Sequence, residues 1–133
     1  MSASPFFDTN VLIYAVSETD ARAVTAQSLL AAGGNISVQV LNEFAAVARR
    51  NLKKSWKEIS EALNDIRSLC EPATPFTVQV HETALKIAAD HGYQIYDALI
   101  LAAAIDAGCK TVYSEDMQAG QKIGPITIRN PFV

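Results

Sequence analysis

Four acids are placed where a reaction could use them. Asp8 follows Phe6-Phe7 and precedes Thr9-Asn10-Val11, so it lies between two apolar runs. Glu43 falls early in a run of apolar residues at helical spacing, Asp97 heads the stretch Ala98 to Ile105, and Asp116 follows Lys110-Thr111-Val112-Tyr113-Ser114-Glu115. Taken one at a time these acids have plain readings: Asp8 and Asp97 as helix N-caps, Glu43 as a solvated helix acid. Taken together they imply something else. Carboxylates gathered without partners repel one another and raise their own pKa values, and a divalent cation removes that penalty. Oxygen donors with no His or Cys cluster suit Mg2+ or Mn2+, hard ions that keep several waters and prefer a few carboxylates plus a phosphate. A site of that kind activates water and stabilises the charge that develops in an in-line displacement at phosphorus, which is phosphodiester hydrolysis.

The elements that must bring these acids together follow from periodicity. The run into Asp8 reads as a buried strand that hands over to a helix beginning at Val11 to Tyr14. Ser17-Glu18-Thr19-Asp20 has helix-start character, and Ala23, Val24, Ala26, Leu29 and Leu30 carry a helix that Gly33-Gly34 closes. Asn35 to Val38 is expected as a short strand. Val40, Leu41, Phe44, Ala45, Val47 and Ala48 then recur at helical spacing with Glu43 among them. Ser55-Trp56-Lys57-Glu58 is a capping-box pattern that starts a helix with Ile59, Leu63, Ile66 and Leu69 on its stripe. Pro72 and Pro75 interrupt, Thr77 opens another helical segment ending near His91-Gly92, and Tyr96 to Gly108 reads as a central buried helix. Lys110 to Ser114 is a strand, Gly120 to Gly124 a loop, and Ile126 to Ile128 a last strand stopped by Asn130-Pro131. Alternation of short β-rich segments with helices predicts an α/β domain with a mainly parallel central sheet and helices on both faces. In such a sheet the four acids converge on one edge, outside the carboxyl ends of the strands.

Length and composition narrow the function. At 133 residues the chain is expected to be a single domain, residues 1–133, and with half its residues hydrophobic it is not a disordered segment. The net charge of -3 marks no global polyanion binder, so a nucleic acid would be held by a local basic face or by cations. Cys70 and Cys109 belong to no zinc-type cluster and are expected as buried reduced thiols. No apolar run is long enough for a membrane span, and a soluble, cytoplasmic protein is expected.

The combination Phe7-Asp8-Thr9-Asn10-Val11-Leu12-Ile13-Tyr14, then Asn42-Glu43-Phe44, then Tyr96-Asp97-Ala98-Leu99-Ile100, then Ser114-Glu115-Asp116-Met117-Gln118 resembles the PIN-domain family, and within it the VapC-type toxins of toxin–antitoxin pairs. The likeness runs to Asn130-Pro131-Phe132. It implies a three-layer α/β/α fold, Mg2+- or Mn2+-dependent endoribonuclease activity on an RNA substrate, homodimerisation, and neutralisation by a small antitoxin that covers the active site. By position, Asp8, Glu43, Asp97 and Asp116 match the family's four acids. The resemblance gives Asp8 and Asp97 metal-ligand roles, and Glu43 and Asp116 the roles of further ligand or water positioner. Asn10 matches the polar residue after the first acid, and Ser114 the hydroxyl residue two before the fourth.

Other residues carry weaker signals. Glu115 competes with Asp116 for the fourth position, and Asp116 is preferred. Arg49, Arg50 and Lys53 are candidates for RNA phosphate contacts, against the plain reading of a solvated basic face. Tyr14 and Tyr96 flank two of the acids, where packing is favoured over base stacking, and Trp56 is expected to anchor a core or an interface. His81 and His91 match no ligand spacing. An aspartyl phosphatase of similar architecture would want an acid where Asn10 stands, and a receiver domain a late lysine. The remaining alternative is a non-catalytic PIN-like module that binds RNA or protein.

Overall fold

The computed structural model describes residues 4–133. Its elements are β1 (Phe6–Phe7), α1 (Thr9–Val16), α2 (Ala23–Ala32), α3 (Val38–Arg50), α4 (Trp56–Leu69), α5 (Val78–His91), α6 (Ile95–Asp106), β2 (Thr111–Tyr113), β3 (Lys122–Ile123) and β4 (Ile126–Arg129). The strands form one sheet in the order β1-β2-β4-β3. β1 pairs with β2 and β2 with β4 in parallel, whereas β3 returns antiparallel along β4. The sheet is thus mixed but mainly parallel, and with its helices it makes a three-layer α/β/α arrangement. Helices α1 to α4 pack among themselves, and α5 packs on α6, which also touches β4.

Several helix ends have local causes. Ser37 and Thr77 cap α3 and α5 by accepting the amides of Val40 and Val80. At α4 the expected box is complete: Ser55 Oγ accepts from the Glu58 amide while Glu58 Oε1 accepts from the Ser55 amide. Gly92 ends α5 in the left-handed conformation, with φ at 76°, which a residue without Cβ adopts freely. Along α6, every residue from Ala98 to Ala104 is buried, as expected of a helix that is apolar all round.

Two expectations about strands are corrected. Asn35 to Val38 is not a regular strand: Asn35 bridges Phe6 and Ser37 bridges Thr74, both in parallel sense, but Val38 is already the first residue of α3. Asn35 bonds to the open edge of β1, with the Phe7 amide on Asn35 O and the Asn35 amide on Pro5 O, while the next residues bond to Thr74, whose amide donates to Ile36 O and whose carbonyl accepts from Val38; the chain then turns as Ser37 caps the helix. Gly120 to Gly124 is not only loop, since Lys122 and Ile123 pair with Thr127 and Ile126. Their short alternation of exposed and buried side chains is too brief to register as a period. Ser17 to Asp20 likewise precedes rather than starts a helix; α2 opens at Ala23.

The core runs through both helical layers. Phe6, Phe7, Leu12, Ile36, Phe44, Ile100, Leu101, Ile126 and Ile128 are completely or almost completely buried. Gly34 lets the exit of α2 cross β1 closely, since a Cβ there would lie 2.5 Å and 2.7 Å from the Phe7 ring and 2.8 Å from Pro5 O.

Candidate functional site

Register decides the first part of the site. β1 and β2 run parallel with Phe7 opposite Tyr113, so the chains leave the sheet side by side at Asp8 and Ser114, and the Asp8 amide donates to Tyr113 O. Asp8 caps α1 as its plain reading requires, Oδ1 accepting from the Thr9 amide at 2.7 Å. Its other oxygen accepts from Ser114 Oγ at 2.8 Å. Ser114 is fully buried, and the same Oγ accepts the amides of Asp116 at 3.2 Å and Met117 at 3.3 Å. One hydroxyl therefore joins the first acid to the loop that carries the fourth. Asn10 makes a second joint: its Nδ2 donates to Asp116 Oδ2 at 3.2 Å, and its Oδ1 accepts from the Glu115 amide.

Glu43 comes from the second turn of α3. Gln39, one turn earlier and buried, donates through Nε2 to Glu43 at 3.4 Å and to the backbone carbonyl of Tyr96 at 3.0 Å. Gln39 therefore ties α3 to the start of α6. Sequence reading passed over it, although a Gln four residues before an acid on a helix face was an available signal. Asp97 stands in the first turn of α6, where Gln94 rather than Asp97 is the N-cap.

These elements enclose one cleft of ≈ 500 Å³, and all four acids line it, with Thr9, Asn10, Ile13, Tyr14, Ala46, Val47 and Arg50. Asp8 is only 6% exposed. Burial pushes its carboxyl up to about 6, the Ser114 and Thr9 hydrogen bonds oppose that rise, and the charges of Glu43 and Asp97 add to it. Burial also raises Glu43; the Gln39 hydrogen bond opposes that rise and Asp97 adds to it. Thr9 Oγ1, buried at the same wall, makes no hydrogen bond of full geometry, although it lies near enough to Glu43 to oppose the rise of that carboxyl. Crowded, partly desolvated carboxylates are a donor set whose chemistry fits a hard divalent cation. Among the described residues no three Asp, Glu, His or Cys side chains stand close enough together to hold a metal ion as they are placed, so the fit is one of donor chemistry and not of a formed ligand set.

The adjacent acids Glu115 and Asp116 separate cleanly. Asp116 lines the cleft; Glu115 is paired with Arg22 and accepts from the Tyr14 hydroxyl. Those contacts, Tyr14 first, hold Glu115 below the usual carboxylate range. Of the three basic candidates, only Arg50 reaches the cleft. Arg49 turns away, donating to Lys54 O at 3.1 Å and lying over the Trp56 ring at 4.9 Å, and Lys53 is exposed outside the cleft. Trp56 is no core anchor: it is 59% exposed, and its contact is that guanidinium. Tyr96 is also not packed, being 61% exposed, because the second position of α6 points outward. Tyr14 does pack beside the site, under Arg22 and against the edge of Phe132. Both cysteines are free; Cys109 is buried and Cys70 half-buried, and burial pushes both thiols up to about 11.

Comparison with known proteins agrees with this architecture. A family model described as PIN domain matches residues 6–121. No curated protein sequence matches the chain. Among solved structures it is similar to VapC20 of Mycobacterium tuberculosis, described as a sarcin-ricin loop cleaving toxin, at 23% identity and TM-score 0.68, covering 85% of this chain and 90% of that one. A toxin-antitoxin complex from Klebsiella pneumoniae matches at 19% identity and TM-score 0.73, covering 97% and 98% of the two chains. VapBC2 from Rickettsia felis, bound to a DNA fragment from its promoter, matches at 20% identity and TM-score 0.69, covering 95% and 97%. At these identities the likeness is one of fold.

Proposed function

For a chain that belongs to the PIN-domain family, we propose a divalent-metal-dependent endoribonuclease that serves as the toxin of a toxin–antitoxin pair. The observation that carries this reading is the cleft itself. Four acids from four separate parts of the chain line it, one of them almost wholly buried, with a single arginine beside them. Asp8, Glu43, Asp97 and Asp116 would hold Mg2+ or Mn2+. When bound, such an ion lowers the pKa of a coordinated water and offsets charge on the phosphoryl oxygens.

The chain's own groups do the rest. Thr9 N–H and Ser114 Oγ each take one oxygen of Asp8, which fixes the carboxylate and leaves its remaining lone pairs to the cleft. Gln39 and Asn10 orient Glu43 and Asp116, whose role is to complete the ligand set and position the attacking water. Arg50 lies two turns beyond Glu43 on α3, about 10 Å along the axis, where it can take a phosphate beside the one being cut. Because water rather than the ribose 2'-hydroxyl attacks, cleavage leaves a 5'-phosphate and a 3'-hydroxyl.

The likeness to a toxin-antitoxin complex and to VapBC2 supports a small antitoxin as partner; that it covers this cleft, and that the working state is a homodimer, are part of the proposal. The proposed RNA substrate puts the site of action in the cytoplasm; among the described residues no helix is long and apolar enough to cross a membrane.

Purified protein incubated with total cellular RNA and Mn2+ or Mg2+ tests the reading, beside an EDTA control and an Asp97→Asn variant. Discrete cuts bearing 5'-phosphates are expected, absent with EDTA and in the variant, which should remain folded by circular dichroism. Equal cutting by the variant, or cutting that survives EDTA, would refute the mechanism.

A further inference from the structure

Glu115 and Asp116 are consecutive acids, yet only Asp116 faces the cleft. The cause lies outside it. Arg22 Nη1 donates to both oxygens of Glu115 at 2.8 Å, while Nη2 and Nε donate to Asp20 at 2.7 Å and 2.9 Å. The guanidinium lies 3.8 Å from the centre of the Tyr14 ring, and the Tyr14 hydroxyl donates to Glu115. All three guanidinium nitrogens are engaged, and the ring contact fixes their plane. Arg22 sits between α1 and α2 and Glu115 in the loop after β2, so the contact spans distant parts of the chain. From there the connection continues inward, since the Glu115 amide donates to Asn10 Oδ1 and Asn10 Nδ2 donates to Asp116.

We propose that Arg22 is a positioning residue: with Tyr14 it holds Glu115 on the outer side of the loop, so that Asp116 faces the cleft in the geometry that sets cation affinity and turnover. The inference rests on the nuclease reading above and extends it to a residue outside the cleft. Arg22 and Glu115 side chains are 39% and 25% exposed, and ion pairs in such settings add little to global stability. The consequence of the tie is therefore local. Without Arg22, Glu115 keeps only the Tyr14 hydroxyl and stands uncompensated beside Asp20, and the Asn10 and Ser114 contacts alone hold Asp116.

Arg22→Gln, Glu115→Ala, Tyr14→Phe and the double variant Arg22→Gln/Glu115→Ala, each in the full chain, test this. Three readouts are needed: Mn2+ titration followed by electron paramagnetic resonance, amide hydrogen exchange, and steady-state cleavage of an RNA that the wild type cuts. Arg22→Gln should weaken Mn2+ binding and lower kcat, each on the order of tenfold, the usual effect of removing an outer partner of a ligand. KM for RNA should stay close to wild type, because Arg50 and the cleft walls are untouched. The Glu115 to Met117 amides should lose protection while α6 keeps its own. Tyr14→Phe should move the same readouts less. The double variant should be no worse than Arg22→Gln, since the two residues act through one contact. Unchanged Mn2+ affinity and loop protection in Arg22→Gln, independent effects that add in the double variant, or a uniform loss of protection would each overturn the proposal. If wild type and Asp8→Asn alike fail to bind Mn2+, it is the metal reading that falls. Loop exchange then still decides whether Arg22 holds the loop.

Discussion

Asp8 should make the folded protein less stable when it is charged, and Asp8→Asn should relieve that. In the unfolded chain its carboxyl has the ordinary value of 3.8, and burial raises it to about 6 in the fold. The sign follows from proton binding. Below about pH 4 both states carry the proton, and Asp8 contributes no difference. Between about 4 and 6 the unfolded state ionises first, so stability falls as pH rises; above 6 the full penalty persists. At 1.36 kcal/mol per pH unit, the rise from 3.8 to about 6 is worth about 3 kcal/mol. Asn keeps an acceptor for the Thr9 amide but turns an NH2 toward Ser114 Oγ, so the realised gain is expected at about 1 to 3 kcal/mol. That corresponds to a rise in Tm of about 4 to 12 °C for a chain of this size. Urea unfolding followed by helical circular dichroism, on both proteins without divalent ions at pH 4 and pH 7.5, measures it. Subtracting the two proteins removes Asp20, Glu58 and Glu115, whose lowered values act in the opposite direction. The variant should lie level with the wild type or up to about 2 kcal/mol below it near pH 4, where only the Ser114 mismatch acts, should exceed it at pH 7.5, and should cleave no RNA. Added Mn2+ should stabilise the wild type and not the variant. A stability difference that is the same at both pH values, or a variant weaker at pH 7.5, would refute the reasoning.

Three further outcomes are expected. Arg50→Ala should raise KM for RNA several-fold with little change in kcat, and should reduce the slope of log affinity against log salt by about 0.7, one phosphate contact on a single strand. Gly34→Ala should destabilise by about 1 to 3 kcal/mol, as overpacking against Phe7 and Pro5 requires, with activity per folded molecule unchanged; thermal unfolding measures this. Ser114→Ala removes the hydroxyl that joins Asp8 to the Asp116 and Met117 amides, so both Mn2+ affinity and kcat should fall on the order of tenfold, readable by titration and single-turnover cleavage.

What the sequence determined by itself was the set of elements and the identity of the acids. Strong periodicity and local caps leave little freedom: Ser55 and Glu58 close their box with each other, and the run after Asp97 has no polar face with which to sit anywhere but inside. Asp8 was legible only in combination: alone it reads as the helix cap that it also is, and the three further acids at matching places gave it a second role. Weaker local signals misled where a partner strand or a neighbouring side chain decided the outcome. Lys122 and Ile123 are a strand only because β4 is there to pair with them, and Asn35 to Ser37 lies along β1 without lasting long enough to become one. The choice between Glu115 and Asp116 and the part taken by Gln39 rest on contacts between residues far apart in the chain. No local pattern encodes them, because a side chain's direction at a loop or on a helix flank is settled by which distant charge, ring or carbonyl the fold brings within reach. Only the tertiary structure could show that Arg22 stands behind the fourth acid.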